Sequence, residues 1–142
     1  MLPGSPLAGG WLSGKYKRDE MPTGATRLGE NPKRGGEAFE ARNAQERTWR
    51  VIDALGAVAK GRGVSLAEVA LAWCVAQPAV TSVILGARNT DQLAQNLKAD
   101  GLTLSAEEMA TLNAAGAPPV TDYPYGGGGT RQRMRPMAGG RG

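Results

Sequence analysis

Apolar residues along this chain form three groups at helical spacing and one short unbroken run. Trp49, Ile52, Leu55 and Ala59 recur every three to four residues. That stripe predicts a helix over about 44–61, closed near Gly63, with Gly56 weakening its interior. Ser65-Leu66-Ala67-Glu68 reads as a capping box, and the helix behind it runs to about residue 76, because Pro78 cannot continue it. Its apolar side chains, Val69, Leu71, Ala72, Trp73 and Val75, reach round more than one face, so it expects burial by a sheet and by neighbours. A second capping box, Ser105 with Glu108, opens a helix carrying Met109 and Leu112 before Gly116, and Pro118-Pro119 ends regular structure. The unbroken run is Val83-Ile84-Leu85. It is short and rich in β-branched residues, the pattern of a parallel strand covered on both faces. Gly86 ends it, and Asn89 or Thr90 can cap a helix that follows.

The rest carries less pattern. Residues 1–16 read as a glycine-rich loop leading to a short turn. Residues 17–42 are polar, with Gly24, Gly29, Gly35, Gly36 and two prolines, and read as a long surface loop. From Tyr125 onward glycine and arginine dominate without apolar periodicity, so residues 123–142 are expected to form a disordered tail.

Charge changes the picture only after it is located. The net +4 and the pI of 9.6 trace to Arg131, Arg133, Arg135 and Arg141, because the body before them is formally neutral. A basic nucleic-acid-binding domain is therefore not expected, although Gly/Arg segments can track phosphates. The single cysteine, Cys74, excludes an internal disulfide and suits a reducing, cytoplasmic setting. It lies in an apolar helical run and reads as an inert thiol. There is no apolar stretch long enough to span a membrane and no Cys/His spacing for a metal.

Candidate chemistry concentrates after the apolar run. A helix beginning beyond the carboxyl end of a buried strand offers free N–H groups and a positive dipole end to an anion. Arg88 adds a guanidinium able to pair with a phosphate, and Gln92, Gln95 and Asn96 share one helix face from which amides can reach an adenine edge. The same pattern also occurs in turns that only face solvent.

These residues, written G-A-R-x-x-x-Q-x-x-x-N, resemble the adenosine-phosphate end of the aldo-keto reductases, which are (β/α)8 barrels. The likeness extends further. Ser5–Tyr16, SPLAGGWLSGKY, is similar to the loop after the seventh barrel strand, whose backbone wraps the cofactor pyrophosphate. Residues 51–88 are similar to the seventh helix, an intervening helix and the eighth strand, and residues 102–116 to the final helix. The resemblance implies an α/β fold: the C-terminal part of a TIM (β/α)8 barrel over residues 1–122, mostly helices with about one full parallel strand, the barrel incomplete. A whole barrel takes about 250 residues. It also implies NADP(H) as cofactor, bound through Ser5, Leu7, Gly86, Ala87, Arg88, Gln92, Gln95 and Asn96. Gln95 departs slightly, since the family more often has Glu there.

The resemblance implies an absence too. The family's catalytic Asp, Tyr, Lys and His lie on earlier strands. This chain has no His, and none of Tyr16, Tyr123 and Tyr125 matches the catalytic position. Gly4 stands where the family usually places an aromatic that stacks on the nicotinamide. The expectation is a cofactor-holding part of an aldehyde and ketone reductase, without catalytic residues of its own. The alternatives are a non-catalytic piece that docks on a partner supplying the rest of a barrel, or a truncated product without activity.

Overall fold

The computed structural model describes residues 1–20, 22 and 36–118. Among them are five α-helices: α1 (Gly36–Asn43), α2 (Glu46–Arg62), α3 (Leu66–Val75), α4 (Thr90–Leu97) and α5 (Ala106–Gly116). Two short 3-10 segments, Ala8–Ser13 and Lys98–Gly101, complete the regular structure.

The helix ends follow the sequence signals closely. Helix α2 begins two residues later than its stripe suggests and closes at Gly63, whose φ of 66° lets its N–H reach the Ala59 and Lys60 carbonyls. In α3 the Ser65 Oγ accepts from the Glu68 N–H at 3.2 Å, and Glu68 Oε2 accepts from the Ser65 N–H at 2.6 Å. The buried Glu68 carboxylate is thereby satisfied within its own helix turn. Ser105 and Glu108 repeat the arrangement at the start of α5.

Helices α2, α3 and α5 enclose an aliphatic core of Leu55, Ala59, Val69, Ala70 and Leu112, with Leu55, Val69 and Leu112 wholly buried. Trp73, half-buried, packs on its edge and donates its indole N–H to Asn113 Oδ1 at 2.8 Å. Gly116 is required there: a Cβ would come within 2.8 Å of the Trp73 ring.

A second core is purely aromatic. Trp11, Tyr16, Phe39 and Trp49 are all buried, and Trp11 stacks on Phe39 at 5.0 Å between ring centroids. This corrects the reading of residues 17–42 as one long loop. Their last part is helix α1, stabilised by the burial of Phe39 against Trp11 and not by its own weak amphipathic pattern. Residues 21 and 23–35 of that segment, and the tail 123–142, lie outside the described residues.

The expected strand is also corrected. Among the described residues there is no strand, only one isolated parallel bridge between Gly4 and Ile84. The Ile84 N–H donates to the Pro3 carbonyl at 3.1 Å and the Thr81 N–H to the Met1 carbonyl at 3.0 Å. A strand needs a hydrogen-bonded neighbour over several residues, and two such bonds do not make a ladder. Ile84 is 59% exposed, so the expected cover on both faces is absent from the described residues as well.

One ion pair ties the aliphatic helices together at their ends. Arg62 Nε and Nη2 donate to the two Glu108 carboxylate oxygens at 2.7 and 2.6 Å. The Arg62 guanidinium, helped by the Ser105 N–H, holds the Glu108 carboxyl at about 2, against an ordinary value of 4.5. A carboxyl depressed in the folded state stabilises fully above its unfolded value, and that contribution is lost as pH falls through the folded value. The wild-type protein should therefore lose helix stability between about pH 4.5 and about 2. Glu108→Gln, which keeps the capping geometry but not the charge, should show a flatter response. Denaturant titrations followed by far-UV circular dichroism across that window check it, and identical slopes for both proteins would refute it.

Candidate functional site

Two segments far apart in sequence meet at an open cleft of about 600 Å³. One wall is the loop from Ser5 to Lys15. The other runs from Ile84 through Gly86 and Arg88 into α4. All eight residues singled out from the sequence line this cleft: Ser5 and Leu7 on the first wall, Gly86, Ala87, Arg88, Gln92, Gln95 and Asn96 on the second.

The second wall is built by a helix start. Asn89 has extended backbone, and its Oδ1 accepts from the Gln92 N–H at 2.8 Å, so it is the N-cap of α4. Gln92 in turn accepts the Arg88 N–H through its Oε1 at 2.9 Å. One amide side chain thus braces the turn that carries Arg88, leaving its NH₂ as a donor. Asn96, one turn further on, is almost buried, while Gln95 is exposed. Gly86 leaves space: a Cβ added there would meet nothing within 4 Å.

The first wall is held in an unusual backbone conformation. Ser5 and Ala8 have φ of 53° and 50°, and Gly9 and Gly10 have φ of 71° and 98°. For the two non-glycine residues this region costs about 1–3 kcal/mol each and persists only where surroundings enforce it. At Gly10 the positive φ is the constraint, because the Lys15 side chain lying across it is flexible and could move aside for a Cβ. Ser13 Oγ donates to the Gly10 carbonyl at 2.7 Å and ties the loop to itself.

Lys15, Ser13, Gly9 and Gly10 also line the cleft, and reasoning from the sequence did not single them out individually. The signal available was the segment itself, SPLAGGWLSGKY, whose glycines are where positive φ is needed. Among the described residues, Lys15 and Arg88 are the charged residues of the lining. Two cations, a capped helix start and several amides form a donor set for an anionic, hydrogen-bonding ligand. A dinucleotide carrying phosphates fits that chemistry, and the volume lies in the usual range of about 300–1,000 Å³ for such clefts.

Elsewhere the chemistry is sparse. Partial burial pushes the Cys74 thiol up from its ordinary value, away from thiolate character. Among the described residues there is no cluster of His, Cys, Asp and Glu able to hold a metal, and no helix long and apolar enough to cross a membrane.

Residues 1–117 match the model of the aldo/keto reductase family. The chain belongs to that family. Its reductase relatives include an L-glyceraldehyde 3-phosphate reductase of Escherichia coli O157:H7, 34% identical over 110 residues, which are 77% of this chain and 31% of the relative. A probable voltage-gated potassium channel subunit beta of Oryza sativa subsp. japonica is 40% identical over 95 residues, 67% of this chain and 28% of the relative. Protein tas of Escherichia coli strain K12 is 33% identical over 116 residues, covering 80% and 31%. The chain thus spans about 28–31% of the length of these relatives. Aldo/keto reductases typically use NAD(P)H, and both walls of the cleft fall within the matched residues.

Proposed function

We propose that this chain is the part of an NADPH-dependent aldo-keto reductase that holds the adenosine and phosphate end of the cofactor. One observation carries the reading: eight residues chosen from sequence, in segments about eighty residues apart, line one cleft together with Lys15. Bound there, the nicotinamide cofactor supplies a hydride for reduction of an aldehyde or ketone. The chain's own contribution is to bind and orient. Arg88 and the N-terminus of α4 meet a phosphate, the amides of Gln92, Gln95 and Asn96 meet the adenosine, and the Ser5–Lys15 loop lies along the pyrophosphate. Proton donation to the carbonyl is left to residues this chain does not carry. The test is calorimetric titration of the protein with NADPH. Saturable one-site binding supports the reading, and no binding at millimolar cofactor refutes it.

A second feature favours use of this piece against the rest of a barrel. Leu2, Ile84, Leu93 and Leu97 are all more than 40% exposed, and Leu93 and Leu97 are one turn apart on α4. Exposed large apolar side chains suit surfaces that another part of a (β/α)8 fold covers.

Gly86 separates binding from folding. Its φ is not in the left-handed region and a Cβ there has room, so Gly86→Ala should leave stability unchanged or raise it by about 0.4–1 kcal/mol. A ligand lying on the backbone at this turn would meet the new methyl, and affinity should fall by about 1–3 kcal/mol, as for overpacking. Thermal unfolding and titration of the same variant check both halves.

A further inference from the structure

The cleft's first wall is strained, and something outside it must keep it in shape. Arg42, near the end of α1, reaches across 34 positions of sequence and donates from Nη1 to the Ala8 carbonyl at 3.0 Å. Ala8 is one of three non-glycine residues with left-handed φ among the described residues, beside Ser5 and Asp19. The same guanidinium lies 5.9 Å from the Trp11 ring centroid, while Phe39, one turn earlier in α1, stacks on Trp11 at 5.0 Å with planes 28° apart. Trp11 and Phe39 are buried, and Trp49 of α2 closes the cluster edge-on to Trp11 at 5.9 Å.

We infer that α1 is a clamp on the cleft loop, with Arg42 as a positioning residue that holds Ala8, and through it Gly9 and Gly10, in the conformation that forms the cleft wall. The clamp has two grips of different kinds. Phe39 fixes the loop by stacking on Trp11, which is non-directional enough to tolerate small shifts. Arg42 fixes one peptide by a charge-assisted hydrogen bond, which is directional. Without that bond the Ala8 backbone can relax out of the left-handed region and carry Gly9 and Gly10 away from the cleft. Arg42 itself is exposed and does not line the cleft, so it acts on a ligand only through the loop. The consequence for binding rests on the NADPH reading proposed above; the clamp itself does not.

Two measurements on the full chain separate them. The first is amide hydrogen exchange of the unliganded protein, comparing wild type, Arg42→Ala and Arg47→Ala. Arg47 is exposed on α2 and removes the same charge elsewhere. Arg42→Ala should speed exchange across Ala8–Leu12 by about tenfold, the factor expected for one lost charge-assisted bond, with α2 and α5 unchanged. Arg47→Ala should leave the loop as in wild type. Unchanged loop exchange in Arg42→Ala overturns the clamp, and so does equal acceleration in Arg47→Ala or acceleration spread over all helices. The second measurement is NADPH titration, in which Arg42→Ala should bind about tenfold more weakly than Arg47→Ala. If wild type binds and the two variants bind equally, Arg42 does not position the site. If wild type does not bind, the NADPH reading fails and hydrogen exchange alone decides the clamp. Phe39→Leu, which keeps an apolar side chain but loses the stack, should accelerate the same amides and provides an independent check should Arg42→Ala misfold.

Discussion

Arg88→Ala should weaken NADPH binding roughly ten- to a hundredfold and leave NADH binding far less affected. A charge-assisted hydrogen bond contributes about 1.5–3 kcal/mol, and each 1.4 kcal/mol is about tenfold in affinity. The extra 2′-phosphate of NADPH brings close to two negative charges. Arg88 stands immediately before the Asn89 cap of α4, where unsatisfied N–H groups and the helix dipole already favour an anion. Among the described residues, the cleft lining holds no carboxylate that would prefer a free ribose hydroxyl. Asp91, the nearest acidic residue in sequence, is exposed in the first helical turn and is not part of the lining. Calorimetric titration of both cofactors against both proteins is the measurement. Equal losses for NADPH and NADH would mean that Arg88 does not read the extra phosphate.

Leu55→Ala should be among the most destabilising single substitutions in the chain, by about 2–5 kcal/mol. Leu55 is wholly buried in α2, in one cluster with Val69 of α3 and Leu112 of α5, so its truncation leaves a cavity at the junction of three helices. Small domains are stable by only about 5–15 kcal/mol, and this loss is a large share of that. Leu55→Met nearly conserves volume and should cost less than about 1.5 kcal/mol. Urea denaturation of the three proteins gives the comparison. A Leu55→Ala cost below that of Leu55→Met would mean that this cluster does not hold the helices together.

What could be read from sequence was whatever a few adjacent residues encode. The two capping boxes, the Asn89 cap and the left-handed Gly63 closure all depend on contacts within one helix turn, and each forms where its residues announce it. The two walls of the cleft were legible for another reason: both carry motifs of a known family, and the fold brings them together. Helix α1 was not legible. Its sequence is weakly amphipathic, and its stability comes from Phe39 meeting Trp11 and Tyr16, contacts that no local pattern reveals. The apolar run at Val83-Ile84-Leu85 misled in the opposite direction. Its composition suits a strand, but strand formation depends on neighbours, and Gly4 bridging to Ile84 supplies a single pairing. Lys15 escaped notice because a lone lysine after a glycine has no signature until the loop folds it back over Gly10.

The aromatic cluster has an optical consequence. Of the three tryptophans, Trp11 and Trp49 sit together in it, while Trp73 rests on the separate aliphatic core. Rings packed 5.0–5.9 Å apart in fixed mutual orientations couple their transitions, giving the near-ultraviolet dichroism of an ordered environment. Indole emission from Trp11 and Trp49 therefore follows the state of the cleft loop and α1, whereas Trp73 follows α3 and α5. Near-ultraviolet dichroism from the ring cluster thus reports whether the cleft wall is formed, read without any attached dye.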